Sequence, residues 1–420
     1  MHGGSLSQPT ASAPGYYGEA MTRLGPEELA GRTLRRQFPA LPGRGPDVVL
    51  ELFDRLGPIQ SQVPRAPFLA ASSRLPGVAY DTVNDLFADH RLVKTSSLRG
   101  TVHTSTAAIF PRLDAVARAL RSTQARQLLD LGRATPEEMY AEVERFCTAH
   151  WRPRAEIVDH IRSWLVERGG AAGTEAGPQS VIWGHSGLLR QPRDTHWEHR
   201  TDAFHRTASA VLPELVSCGP PDALRDLVLA HIRSYGPVTR ADLAFFFGVR
   251  PREVSEAVST AGDAIEPVAG EDGQTYLELA DPPTDDTVIP GLRLLPEFDG
   301  LLLGFAGANR NRFCSADELS QIWAKVNGLF APVLLQDDRL VATWRTLTRG
   351  RRTDLEVTML GGRPALAEDR LSDPVRAVES VLGLSITDVR VGPPHALSRP
   401  AVNTARSAAS RPASQPRWSR

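Results

Sequence analysis

The chain has 420 residues, 41% hydrophobic and 23% charged, with a formal net charge of −1. That length exceeds one ordinary domain of about 100–200 residues and predicts two to four, while the balanced charge excludes a global basic field and confines any nucleic-acid binding to local patches. Cys147, Cys218 and Cys314 lie far apart with no CxxC, which argues against a disulfide framework or a thiolate zinc site and for a reducing cytoplasm.

No apolar run approaches the roughly eighteen residues of a membrane span, so no membrane partner is expected. Lys94 and Lys325 are the only lysines, so arginine carries nearly all the positive charge. Residues 1–21 are Gly/Ser/Pro-rich and read as a disordered leader. Pro26-Glu27-Glu28 opens a helix, with proline and acids in its first turn. Asp47 then caps a second, whose apolar positions are Val48, Val49, Leu52, Phe53 and Leu56. Pro58 and Pro64 bracket a short extended segment, in which Gln60 and Gln62 share a face. Two further helical segments, Ala66 to Arg74 and Asp81 to Ala88, precede a hairpin from Leu92 to Thr104 broken at Gly100. It carries Lys94, Arg99, Thr101 and His103, the shape of a basic wing. A helical segment from Ala107 to about Leu131 closes this first unit, residues 22–132.

Residues 133–218 hold helices from Pro136 to about His150 and from Pro153 to Arg168. The stretch Gln179 to Arg200 then reads as a degenerate wing. Residues 219–290 repeat the order more clearly: helices over Asp222–Tyr235, Arg240–Phe247 and Pro251–Ala261, then a hairpin over 264–268 and 275–279. From Leu292 the periodicity shortens. Leu294-Leu295, Leu301-Leu302-Leu303, Val333 to Leu335, Leu340 to Trp344 and Thr353 to Met359 read as strands, with a helix over Asp373–Leu382. Residues 291–385 are thus a β-rich domain and 386–420 a disordered basic tail. The fold class is α+β: three tandem winged helix-turn-helix units followed by a small β domain.

Four pieces occur in order in the first unit: Leu56-Gly57, Gln60-Ser61-Gln62, Pro64-Arg65-Ala66-Pro67 and Arg99-Gly100-Thr101-Val102-His103. A later segment runs Leu294-Leu295-Pro296-Glu297-Phe298-Asp299-Gly300-Leu301-Leu302-Leu303-Gly304-Phe305. Together these resemble the AlkZ-like DNA glycosylases, a family of tandem winged-helix proteins, over roughly residues 22–370. Ser61 stands where characterised members usually place a hydrophobic residue. The resemblance implies a monofunctional DNA glycosylase that hydrolyses the N-glycosidic bond of bulky N7-alkylguanines or unhooks alkylated crosslinks. It would act in repair or self-resistance, as a monomer on double-stranded DNA, without cofactor or metal. It matches Gln60 and Gln62 to the family's catalytic pair.

Read from the residues alone, Gln60 and Gln62 serve equally as amides tying strand ends together. Arg65, Lys94, Arg99, Thr101 and His103 are candidate contacts to the DNA backbone, as are Arg345 and Arg351 in the basic run 345–352. Arg99 is alternatively an ion-pair partner of Asp85 or Asp89, and His103 a packed strand residue. His185, His196, His199 and His205 lack zinc spacing. Glu297 and Asp299 read as a turn locking the β domain to its neighbours, or as a carboxylate pair. Non-catalytic DNA binding and a protein-interaction scaffold are the competing functions; whether the glutamines face an open cleft discriminates the first of them.

Overall fold

A computed structural model describes residues 23–392 apart from 174–175, 200–201, 213, 215, 217, 284–290 and 325–327. The expected leader and most of the expected tail lie outside the described residues. The first unit begins with helices Pro26–Gln37 and Pro46–Leu56; the first opens on proline as expected, whereas the second starts at Pro46 after Gly45, so Asp47 lies in its first turn and is not its cap. Gly57, at φ +71°, ends the second and turns the chain into a two-residue strand, Ile59–Gln60. That strand pairs antiparallel with Val102–Thr106, which pairs in turn with Leu92–Ser96. Helices Ala66–Arg74 and Tyr80–Ala88 lie between, and Phe110–Leu128 follows.

The second unit repeats the order with more β structure than expected. Helices Pro136–Phe146, Arg154–Glu167 and Gly177–Gly184 lead to the strands Leu188–Pro192 and Asp202–Thr207. Arg152–Pro153 adds a third strand to this sheet. The hairpin is therefore complete and reaches past Arg200; its strands carry Arg190, His205 and Thr207 in buried positions, which hid them from an apolar pattern. The third unit matches its expected elements closely, with helices Pro220–Tyr235, Arg240–Phe247 and Pro251–Ala261 and a hairpin of Ile265–Ala269 and Thr275–Leu279. Local chemistry dictates this: Thr239 and Asp242 form a capping box, and Gly248 ends the helix in the left-handed region.

A five-stranded sheet closes the chain, in the order Ile386–Gly392, Arg352–Met359, Arg339–Arg349, Val333–Gln336, Leu292–Leu295. Its first pair is parallel because the helix Ser372–Leu382 supplies the crossover. Two expectations change here. Ile386–Gly392 belongs to this sheet, so the β-rich region extends past 385. Leu301–Leu303 is helical, because the Asp299 carboxylate accepts from the Leu301 amide and caps the turn.

Three large cores and two smaller apolar clusters hold the described parts. One joins Leu34 and Leu113 of the first unit to Val228 and Phe246 of the third and to Leu295 and Phe305. Another joins Phe53, Phe68 and Leu86 to Leu294, Val341 and Leu355 of the final sheet. The second unit keeps a core of its own around Val143, Ile157, Leu165 and Ile182. Polar locks reinforce the shared cores. The Arg74 guanidinium meets both oxygens of Asp299 at 2.7 and 3.0 Å, with both side chains 1% exposed. Arg65 pairs with Glu297 at 2.6 Å. Both carboxylates of the Glu297-Phe298-Asp299 turn thus lock the last region onto the first, and neither is an unpartnered acid.

Removing one partner of a buried pair strands the other's charge, which costs about 3–5 kcal/mol. Arg74→Leu should therefore lower unfolding free energy by about that amount in urea titration. A loss under about 1 kcal/mol would show that Asp299 is not sealed from water.

Candidate active site: the glutamine pair

Pro58 and Pro64 limit the strand, yet the Ser61 amide still donates to the Val102 carbonyl at 2.7 Å. The backbone around the pair is thereby fixed to the hairpin, with Gln60 opposite His103. Alternation sends Ser61 inward, where it is buried and its hydroxyl donates to Thr104 Oγ1 at 2.8 Å. A hydroxyl replaces a hydrophobic group there at little cost, because its hydrogen bond is made. Ser61 faces away from the glutamines.

Gln60 and Gln62 share the other face, as alternation predicts. Gln60 is 7% exposed, whereas Gln62 is exposed to solvent. Arg99 Nη2 donates to Gln60 Oε1 at 3.1 Å, and Gln60 Nε2 donates to Gln62 Oε1 at 3.0 Å. A guanidinium has donors only, so it fixes which end of the Gln60 amide is oxygen and hence which atom of Gln62 turns inward. Gln62 is left with its amino group and a second lone pair for whatever lies outside. The pair is an oriented chain that begins at a cation and ends at the surface.

Arg99 is the anchor of that chain, not an exposed wing residue. It adopts φ +54°, a left-handed conformation that is strained for a side chain with a Cβ. Its other terminal nitrogen donates to the Phe246 carbonyl, and its guanidinium lies 5.5 and 5.4 Å from the ring centres of Phe245 and Phe246. Gly248 permits this approach, since a Cβ there would sit 3.0 Å from Arg99 Cγ. Neither Asp85 nor Asp89 is its partner in any hydrogen bond or ion pair described.

His103 is buried, and its Nδ1–H donates to the Thr101 carbonyl at 3.0 Å. Burial, then the Arg99 charge, pushes its pKa down to about 3, so the ring is neutral at physiological pH. Thr101 is partly exposed, with its hydroxyl donating to the Leu98 carbonyl at 3.1 Å. Behind Gln60 lies a cavity of about 20 Å³, lined by Gln60, Arg99, His103, Arg74, Tyr235 and Asp299 among others. It has room for about one water among polar walls.

The other expected contacts scatter. Lys94 corrects the picture of an exposed basic wing: the strand Leu92–Ser96 is buried throughout, covered by Leu188–Pro192, and its ammonium pairs with Asp202 at 2.7 Å. Arg65 follows the glutamines and bonds Glu297 and Thr346 while lying 5.5 Å from the Trp344 ring centre. Arg345 pairs with Glu356 at 2.6 Å, and Arg351 is exposed at the hairpin turn beyond it. Sequence reasoning missed Arg74, Tyr235 and Phe246; the run Phe245-Phe246-Phe247 was a visible signal, but nothing local joined it to Gln60.

Fold and site together define a mixed α+β protein whose polar centre is an amide pair on a helix-flanked hairpin. A family model described as DNA glycosylase AlkZ-like matches residues 53–380, and the chain belongs to the AlkZ-like DNA glycosylase family. Among solved structures, the Streptomyces sahachiroi DNA glycosylase AlkZ is similar in fold, with a TM-score of 0.71 at 20% identity over 88% of this chain and 100% of that one. A search of curated proteins finds no match. The protein is accordingly a DNA glycosylase with DNA as substrate. Among the described residues, no helix is long and apolar enough to cross a membrane.

Two outcomes follow from this geometry. Arg99→Met should leave DNA affinity nearly unchanged yet slow base release about 100-fold in single-turnover assays, since the amides lose their fixed orientation. Below pH 6.5 the unfolded chain binds a proton that folded His103 refuses, so stability is full above 6.5 and falls toward pH 3. Each such histidine contributes about 1.4 kcal/mol per pH unit in that window. His231, also pushed to about 3 by burial, adds to the slope. Urea titrations at pH 7 and pH 5 should differ by at least about 2 kcal/mol, and His103→Gln should reduce the difference while leaving His231's share.

Proposed function

We propose that this glycosylase hydrolyses the N-glycosidic bond of N7-alkylated guanine in duplex DNA, including bulky adducts and crosslinks, with Gln60 and Gln62 at the reaction centre. The observation that carries this is the oriented chain from Arg99 through Gln60 to the exposed Gln62. The C1′–N9 bond breaks with its electron pair going to the base, which relieves the positive charge that N7 alkylation placed there. The sugar gains cationic character at C1′, and a water adds to it and releases its proton to solvent. Gln62 Oε1 faces that charge and orients the water, acting as a fixed dipole rather than as a base. Gln60 holds Gln62 in place, since both ends of its own amide are engaged.

The three helix-and-hairpin units act as winged helices around the duplex. Arg351 at the exposed turn of the final sheet serves as a backbone contact, and Arg65 and Arg345 flank it as partly exposed arginines. Thr101 lies beside the pair and is the hairpin residue best placed for a sugar or phosphate. His103 and Arg99 serve the site from within. A bulky adduct need not be flipped into a pocket, consistent with the surface position of Gln62.

Single-turnover incubation with duplex DNA carrying N7-methylguanine, and a second duplex with a bulkier N7 adduct, tests this. The parent should form abasic sites, and Gln62→Ala should lose about 10²–10³-fold in rate while binding DNA within a few fold. Unchanged release in Gln60→Ala and Gln62→Ala together would remove the pair from the chemistry.

A further inference from the structure

Beneath the interface of the first and second hairpins lies a concentration of positive charge that the glutamine site does not use. Lys94 from Leu92–Ser96 has 1% of its side chain exposed and a single carboxylate partner, Asp202. Arg190 from Leu188–Pro192 is 1% exposed, and its Nη2 donates to Ser96 Oγ and to the Trp183 carbonyl, both at 2.8 Å. Among the described residues its Nη1 is buried with no partner, as is Nε of Arg154 at the start of Arg154–Glu167. His205 faces Arg190 in the sheet register, 1% exposed, with neither ring nitrogen partnered.

Asp202 is the carboxylate whose field reaches Lys94, Arg154 and Arg190 alike. Three cations therefore share one anion in a place largely closed to water. Buried charges are ordinarily paired, and an unpaired guanidinium nitrogen there costs a lost hydrogen bond and a desolvation penalty. The arrangement lacks acceptors. A carboxylate offers two oxygens to four sets of donors; a backbone phosphodiester carries the same single charge but spreads its acceptors over a tetrahedral centre, adding two ester oxygens to its two anionic ones.

The patch opens to solvent on one side. Trp183 is 38% exposed there, with Arg190 and Arg154 at 4.3 and 5.7 Å from its ring centre. Asp202 is 19% exposed, and Arg154 is partly so. A ligand reaching in past Trp183 meets Arg154 first and then the Asp202 carboxylate, with Lys94 and Arg190 below it.

We infer that Lys94, Arg154, Arg190 and His205 form a phosphate-binding site, occupied by a backbone phosphate of the DNA substrate, for which Asp202 stands in when DNA is absent. The phosphate displaces the carboxylate, takes the free nitrogens of Arg190 and Arg154, and lies beside an aromatic face on which the adjoining nucleotide rests. The inference depends on DNA being the substrate and not on the chemistry of the glutamines.

The test uses the full chain, inorganic phosphate and undamaged duplex. At matched ionic strength, phosphate should raise the melting temperature above its value in chloride by about 2 °C. Asp202→Asn, which removes the competitor, should enlarge that shift. Arg154→Gln, a partly exposed position, should abolish the shift and reduce the salt slope of duplex binding by about one. A phosphate shift with the slope unchanged in Arg154→Gln would overturn the DNA assignment in favour of free phosphate. No shift in either the parent or a folded Asp202→Asn protein would overturn the site itself. Because no base is excised in any arm, a failure here leaves the glutamine reading untouched, and the reverse holds too.

Discussion

The hydrogen bond from Arg99 to Gln60 is the constraint on which the site depends. One guanidinium, on a residue forced into the left-handed region, reads two parts of the molecule at once: an amide oxygen in the first unit and the Phe246 carbonyl in the third. The cation is embedded against two aromatic rings, where its field is less screened than at a surface. Orientation of the glutamines is thus a consequence of how the first and third units pack. A displacement of Arg240–Phe247 would reach Gln62 through three hydrogen bonds.

That dependence explains the distribution of cores. The first unit, the third unit and the final sheet share apolar clusters and are tied by Arg74–Asp299, Arg65–Glu297 and Arg36–Glu278. The elements around the glutamines are therefore set rigidly against one another, as the proposed action by fixed dipoles needs. The second unit centres on another core, shared with Ala125, Leu129 and Leu131, and meets the first hairpin through a small apolar cluster of Val93, Phe110, Leu189 and Ala208 beside a polar, charge-rich contact. Extensive apolar burial does the joining in one case; in the other, a smaller apolar cluster is supplemented by the Lys94–Asp202 pair.

Much of the fold was legible because its signals are local. Thr239 and Asp242 cap a helix by themselves, Gly248 ends it, and Pro58 and Pro64 bound a strand whatever surrounds them. The order of motifs from Leu56 to His103 identified the region that holds the amide pair. What stayed hidden depends on neighbours distant in sequence. Three leucines after Asp299 suit a strand or a helix, and only the cap made by that aspartate decides. Lys94, Arg99 and His103 read as an exposed wing because strand alternation says which residues share a face but not which face is covered. Leu188–Pro192 covers one, and the third unit's aromatic residues receive Arg99 on the other.

The same burial bears on why amides and not acids occupy positions 60 and 62. A carboxylate at 60 would sit against Arg99 as a partly buried ion pair, its charge spent on the guanidinium and its orientation set by that contact alone. An amide accepts from Arg99 with one end and still donates to Gln62 with the other, so orientation passes outward where an ion pair would end it. The arrangement forgoes a general base, which suits the positively charged leaving group of the proposed N7-alkylguanine substrate. Such a base departs as a neutral molecule, and the remaining need is to face a cationic sugar with an oriented oxygen. In the proposed reaction Gln62, held from behind and open in front, supplies that oxygen without a charge of its own to desolvate.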